Sequence, residues 1–257
     1  MWLTVVVVSH FTQPLQAGDF LYHRNMKVTY VVTYDLERDI NNWTSAAKSP
    51  VSHGFNWYDN LHNDADRRMF KDLQILPPPQ AEAKLEKYIQ RTTQSEAFTT
   101  GQKFIQKRYK QDFQKACEWL EKVTKRPLAF SRYITYLTTF PRGSYYPDDG
   151  YLLCHYTWIN PVIGFMHEAL HIQFHKYWRN NPASPVSKLS DQDWETLKES
   201  LTVILNKKYV DFIEMNDRGY AQHQEFREEL WRQWEKEQDF DKLVEYGVRE
   251  VTKFTKK

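Results

Sequence analysis

Residues 161–178 constrain the fold more than any other stretch of the chain. Asn160-Pro161 supplies a helix N-cap and a first-turn proline, and Asn180-Asn181-Pro182 stops the helix. Between these signals, Ile163, Met166, Leu170 and Tyr177 form an apolar stripe with two histidines beside it. A helix of this kind has to pack against a core, which puts imidazoles next to apolar surface. A histidine pair on that side needs a partner, and a metal ion is the simplest one.

The histidines belong to His167-Glu168-Ala169-Leu170-His171, an HExxH sequence. Four residues of α-helix return to nearly the same face. Both rings can therefore hold one ion while Glu168, a step round the helix, reaches a water on it. The competing reading is a salt-bridged helix surface that happens to carry two histidines.

Those five residues resemble the HExxH zinc metallopeptidases, in which two helix histidines and one later ligand hold a catalytic zinc. The metzincin branch brings in a third histidine through a glycine turn. Here Ile172-Gln173-Phe174-His175 has no glycine, so His175 lies another turn, about 6 Å, along the axis. The gluzincin branch instead takes a glutamate from a downstream helix, and Leu197-Lys198-Glu199-Ser200-Leu201-Thr202 resembles that element. At 100° per residue, Trp194, Leu197, Leu201, Ile204 and Leu205 share one side, while Glu195, Glu199, Thr202, Val203 and Asn206 form an opposite side free of Lys and Arg. The resemblance implies one Zn2+ per chain on His167, His171 and Glu199, with Glu195 as the alternative carboxylate. Many gluzincins carry an acid four residues after the ligand glutamate to orient a histidine. Val203 stands there in this chain, which leaves Thr202, Asn206 or Glu195 to orient His171. From 215 to 248 the chain is similar to small, uncharacterised bacterial HExxH proteins in which a Gly-Tyr pair, here Gly219-Tyr220, precedes two terminal helices.

Around this element the chain reads as α+β, mostly helical with a small, mainly antiparallel sheet beside the zinc helix. Strands are expected at 28–34, 131–139 and 151–158, from their β-branched and aromatic content and their alternation. A short helix should begin at Asp35. Between 81 and 125, Ile105, Tyr109, Phe113, Ala116, Leu120 and Val123 recur at helical spacing. Ser190, with Asp193 in the capping-box position, opens a helix that runs to about Asn206, and further helices are expected at 222–236 and 239–253. The stretch 56–72 shows no clean period. Pro77-Pro78-Pro79 marks a weak internal boundary within a single domain spanning 26–257. Residues 1–25 read as a leader or extension ahead of an alternative start at Met26.

Composition closes off several other classes. Thirty-five basic against thirty-three acidic side chains make no bulk electrostatic case for nucleic acid or an anionic membrane. Two cysteines without a CxxC pair exclude a disulfide-dense scaffold and a thiolate zinc finger. The apolar run at 3–8 is far too short to span a bilayer. The cytoplasm is the expected compartment, with secretion the alternative if 1–17 act as a signal peptide. The activity expected is hydrolysis of peptide bonds in a peptide or protein substrate by a metal-activated water, with Glu168 as general base. Tyr220 or His223 would stabilise the oxyanion, and an extended substrate would pair with 151–158 as an edge strand. Two rival readings remain. One is a catalytically inactive zinc-containing binding or structural module, and the other is a helical nucleic-acid- or partner-binding protein using the basic face at 103–115.

Overall fold

The computed structural model describes residues 27–255 except 53 and 62. The leader and the alternative start at Met26 lie outside the described residues. The described residues open with strand β1 (Thr29–Tyr34), and Asp35 caps helix α1 (Leu36–Lys48) by accepting from the Arg38 amide. A small hairpin, β2 (Val51–Ser52) and β3 (Phe55–Asn56), leads to α2 (Asp64–Ile75). Then come α3 (Pro78–Thr93) and the long α4 (Glu96–Thr124). The periodicity over 81–125 thus spans two helices, separated where Ser95 caps the second.

Pro77–Pro79 begins α3 in the first-turn positions where a missing N–H costs nothing. A compact apolar cluster bridges these prolines, with Trp43 and Phe70 on one side of them in sequence and Leu85 and Ile89 on the other. Its members come mainly from α1, α2 and α3, with Phe140 inserted from further along the chain. Helix α2 occupies the stretch whose period is unreadable. It turns only Met69 and Phe70 fully inward, and Asn63 fixes its start by capping the Asp66 amide.

Strands β4 (Arg132–Thr138), β5 (Ser144–Tyr146) and β6 (Tyr151–His155) join β1 in a four-stranded sheet of order β1-β4-β6-β5. The molecule is α+β and mostly helical, as expected. The sense of the main sheet differs from the expectation of a mainly antiparallel one: β1 with β4 and β4 with β6 are parallel, and only β5 with β6 is antiparallel. Four helices carry the chain from β1 back to the start of β4, a crossover that returns it in the same direction. From β4 the chain then moves to the sheet margin as β5 and doubles back, so β6 lies between β4 and β5. Every residue of β6 is buried, which is why 151–155 is almost continuously apolar. The expected edge strand is therefore interior, and β5, three residues long, forms that edge.

Helix α5 (Pro161–Phe174) lies under the sheet and runs on as a wider helical turn over His175–Arg179. Eleven of its fourteen residues are buried. It packs on α4, β5, β6 and on α6 (Asp191–Leu201). Ser190 accepts from the Asp193 amide at the start of α6, as its sequence implies. Helices α7 (Gln224–Glu237), α8 (Phe240–Glu250) and α9 (Thr252–Thr255) close the far side. Among the described residues no helix is long and apolar enough to cross a membrane.

One buried polar knot ties α1 to the sheet. Asp39 accepts from Thr138 Oγ1 at 2.6 Å, Thr139 N at 3.0 Å and Thr139 Oγ1 at 2.9 Å, and Asn42 Nδ2 donates to the Arg142 carbonyl at 3.2 Å. Burial pushes the Asp39 carboxyl up to about 6 despite these donors. A carboxyl raised in the folded state adds stability below about pH 4 and loses that contribution as the pH rises through about 6. Asp39→Ala strands three donors and should cost about 2–4 kcal/mol in urea unfolding. The unfolding free energy of the unmodified protein, relative to that of Asp39→Asn, is expected to fall between pH 4 and pH 7. A flat difference would show that Asp39 does not titrate in this way.

Candidate metal centre

Helix α5 presents His167 and His171 one turn apart, and α6 crosses it so that Glu199 faces both. His171 Nε2 stands 2.9 Å from His167 Nε2. Glu199 Oε1 is 3.3 Å from His171 Nε2, and Glu199 Oε2 is 3.4 Å from His167 Nε2. Among the described residues these three alone form a group with ligand atoms converging within 4.8 Å of one another. Glu199 and His171 are buried. His175, further along the helical axis, is outside the cluster and contacts Asn180 and the Trp194 ring.

Asp217, in the loop after α6, has no counterpart in the sequence reading. Its Oδ1 lies 3.0 Å from His167 Nδ1. A proton held on Nδ1 by that carboxylate leaves the Nε2 lone pair directed at the cluster. Arg227 Nη2 holds Asp217 Oδ2 at 2.9 Å, and Thr202 Oγ1 stands 2.7 Å from the same oxygen. Arg227 Nη1 also donates to the Glu199 carbonyl at 2.9 Å. One guanidinium thus ties the backbone of one candidate ligand to the acid that orients another. Thr202 bears on His167 through Asp217, and not on His171. Gly219 shows why a glycine stands in this loop: its φ is +58°, and a Cβ there would meet the Arg227 guanidinium at 2.6 Å.

The second residue missing from the sequence reading is Lys198. The face carrying Glu199 was expected to be free of lysine. Lys198 is nonetheless buried, with Nζ 3.3 Å from Glu199 Oε1, 2.7 Å from Glu195 Oε2 and 3.2 Å from Tyr145 Oη. Its Cα points elsewhere on the helical wheel, but a four-carbon stem can carry the ammonium round to the acids. Glu195 is therefore an ion-pair partner of Lys198, and Glu199 is the carboxylate that meets the histidines.

Burial and charge set the protonation of this cluster. Burial drives His171 down to about 3, and its neutral ring can offer a lone pair. Burial also disfavours charge on His167, but Asp217 and Glu199 outweigh it and raise that ring. Burial pushes Glu168 up to about 7, with His167 opposing and Glu199 assisting. Glu199 is held well below the usual carboxylate range: His171, His167 and Lys198 together overcome its burial.

The donor set fits a divalent cation. Glu199 Oε2 is buried without a hydrogen-bond partner, beside two imidazole nitrogens that can both be unprotonated. With both rings neutral, as ligands of a metal would be, and Glu168 ionised, the four carboxylates Glu168, Glu195, Glu199 and Asp217 are balanced by Lys198 and Arg227 alone. A charge of two remains to be neutralised. Two nitrogens and a carboxylate with space for another ligand is the donor set of catalytic zinc sites.

Of the other two candidate residues, Tyr220 lies near the cluster and His223 lies next to Tyr220. Tyr220 is half-buried and feels the charges of both Glu199 and Glu168, which with burial push its phenol up, so it stays protonated. The His223 ring is buried, with its centroid 6.0 Å from that of Tyr220. Compared with protein-family models, curated proteins and solved structures, the chain matches none. Zinc titration of metal-free protein, followed by elemental analysis, is expected to give one ion per chain. His167→Ala and His171→Ala should abolish stoichiometric binding, Glu199→Ala should weaken it strongly, and Asp217→Asn should weaken it by roughly 10–100-fold. His175→Ala should leave it unchanged, and the opposite ranking of Glu199 and His175 would assign the wrong third ligand.

Proposed function

We propose that the chain is a zinc-dependent peptidase of the gluzincin kind. The observation that carries this reading is the convergence of His167 and His171, on the buried helix that also carries Glu168, with the unpartnered oxygen of Glu199 from α6. A zinc ion in that position would polarise a substrate carbonyl and make a water more acidic. Glu168, with its carboxyl raised to about 7, is matched to accept a proton from water near neutral pH. The water oxygen bonds to the carbonyl carbon, the C–N bond breaks, and Glu168 returns the proton to the departing amine. Tyr220, kept protonated, can donate a hydrogen bond to the developing oxyanion. His223 stands beside it and bears on Tyr220 in this arrangement.

The intact base disfavours a purely structural zinc site, which would call for four protein ligands and no general base.

The peptide would lie along β5, because β6 is closed on both sides by strands. At the start of that edge, Gly143 runs past the base: a Cβ there would fall 2.7 Å from Glu168 Oε1 and 2.7 Å from the Trp158 ring. Trp158 also walls an open, mainly apolar groove with Phe104 and Ile159, suited to an apolar substrate side chain. Extended peptides with apolar residues are thus the substrates this surface suits.

Two variants test the chemistry. Glu168→Gln should keep its zinc and lose hydrolysis by at least about 10²-fold, since an amide cannot take the proton. Gly143→Ala should also keep its zinc but displace Glu168 or Trp158, with a loss on the order of 10²-fold. Undiminished hydrolysis of an unstructured peptide by zinc-loaded Glu168→Gln would remove Glu168 from the role of base.

A further inference from the structure

Arg142 immediately precedes Gly143, the residue at which a Cβ would meet the Glu168 carboxylate. The Arg142 backbone is fixed: its amide donates to the Phe140 carbonyl at 2.8 Å, and its own carbonyl accepts from Asn42 at 3.2 Å. The side chain is half-buried and is held at one nitrogen. Nε donates to Ser144 Oγ at 3.2 Å, and the guanidinium carbon lies 5.9 Å from the Trp57 ring centroid. Its positive charge reaches Tyr220, the residue that also feels Glu199 and Glu168.

Several inward-facing arginines of the chain meet carboxylates, while Arg38 lies over the Tyr136 and Tyr151 rings. Arg126 pairs with Asp241, Arg179 with Asp191 and Arg227 with Asp217. Arg142 has no carboxylate within ion-pair distance among the described residues, and its two terminal nitrogens form no hydrogen bond there. A guanidinium held through Nε and lying against an indole leaves its two terminal nitrogens as a two-pronged donor set, which matches a carboxylate.

We infer that Arg142 binds a carboxylate group of the peptide substrate and makes the site selective for peptides that carry one close to the cleaved bond. The inference rests on the peptidase reading for the word substrate, but not for the binding itself. Two sources offer the same chemistry, the C-terminal carboxylate and an acidic side chain. The first would make the enzyme act near peptide ends, and the second would give it an acidic preference inside a chain.

Binding to zinc-loaded Glu168→Gln protein, measured by calorimetry, separates these sources without needing turnover. The probes are N-acetyl-Ala-Ala-Phe-Ala-Ala with a free C-terminus, its C-terminal amide, and an amide in which glutamate replaces the last alanine. At least one carboxylate-bearing probe is expected to bind roughly tenfold more tightly than the plain amide, and which one does so identifies the source. Adding Arg142→Gln should remove that preference. Arg142→Met, which keeps the stem against Trp57, should do the same, and Arg142→Lys should retain part of it. Equal binding of all three probes, or a preference that survives both Arg142→Gln and Arg142→Met, overturns the inference. If the preference behaves as expected but the Glu168-intact protein cleaves none of the probes, the carboxylate site stands and the peptidase reading falls.

Discussion

Burying Glu199 against two imidazoles is the demand around which this molecule is arranged. A carboxylate removed from water costs several kcal/mol unless positive charge or good donors replace the solvent. Here Lys198 faces one oxygen, while the other has only His167 at 3.4 Å and no hydrogen bond. Two protons on the histidines could supply the missing charge, but burial drives His171 far below the pH at which it would hold one. A cation between the three groups would resolve the conflict. It would displace the proton that Asp217 and Glu199 favour on His167, leave both rings neutral and give the orphaned oxygen a partner.

The surrounding fold can be read as support for that conflict. Arg227 reaches from α7 to the end of α6 and to the loop holding Asp217, so three separate segments are locked to one guanidinium. On the opposite side, Asp39 and Asn42 of α1 hold residues 138–142, which deliver Gly143 to Glu168. Removing either support would leave the helix carrying His167 and His171 in place but loosen what faces it. On the peptidase reading such loosening would matter, because misplacing reacting groups by even an ångström weakens catalysis steeply.

What the sequence makes legible follows from how local each signal is. The α5 helix, the two histidines and Glu168 are visible because helical spacing alone sets their relation, and a cap and a proline mark the start. Glu199 is visible for a similar reason, once a facing argument is made for a second short helix. Asp217 and Arg227 lie in a loop and on a later helix, and no period connects them to His167. A turn glycine at 219 is the only local trace of their packing. Lys198 escapes because helical wheels assign side chains by Cα direction, and a long flexible stem ignores that assignment. The sense of the sheet is non-local altogether: whether β4 runs parallel to β1 depends on how four intervening helices return the chain. The three-residue β5 is too short to show alternation.

The sheet arrangement in turn decides how a substrate could approach. If β6 formed the edge, as its position just before the metal helix suggests, its unpaired backbone groups would face the peptide and the 139–150 connection would be a mere loop. With β5 outside β6, that connection borders the candidate site, bringing Gly143 against Glu168 and Tyr145 against Lys198, with Arg142 directly before them in the chain. Each then acquires a distinct physical task. Gly143 leaves room for the Glu168 carboxylate, Tyr145 fastens the edge to the lysine beside Glu199, and Arg142 carries positive charge that no described carboxylate neutralises. On the peptidase reading, selectivity would come from the short stretch of chain that parts β4 from β6, while the chemistry would stay with the helix beneath it.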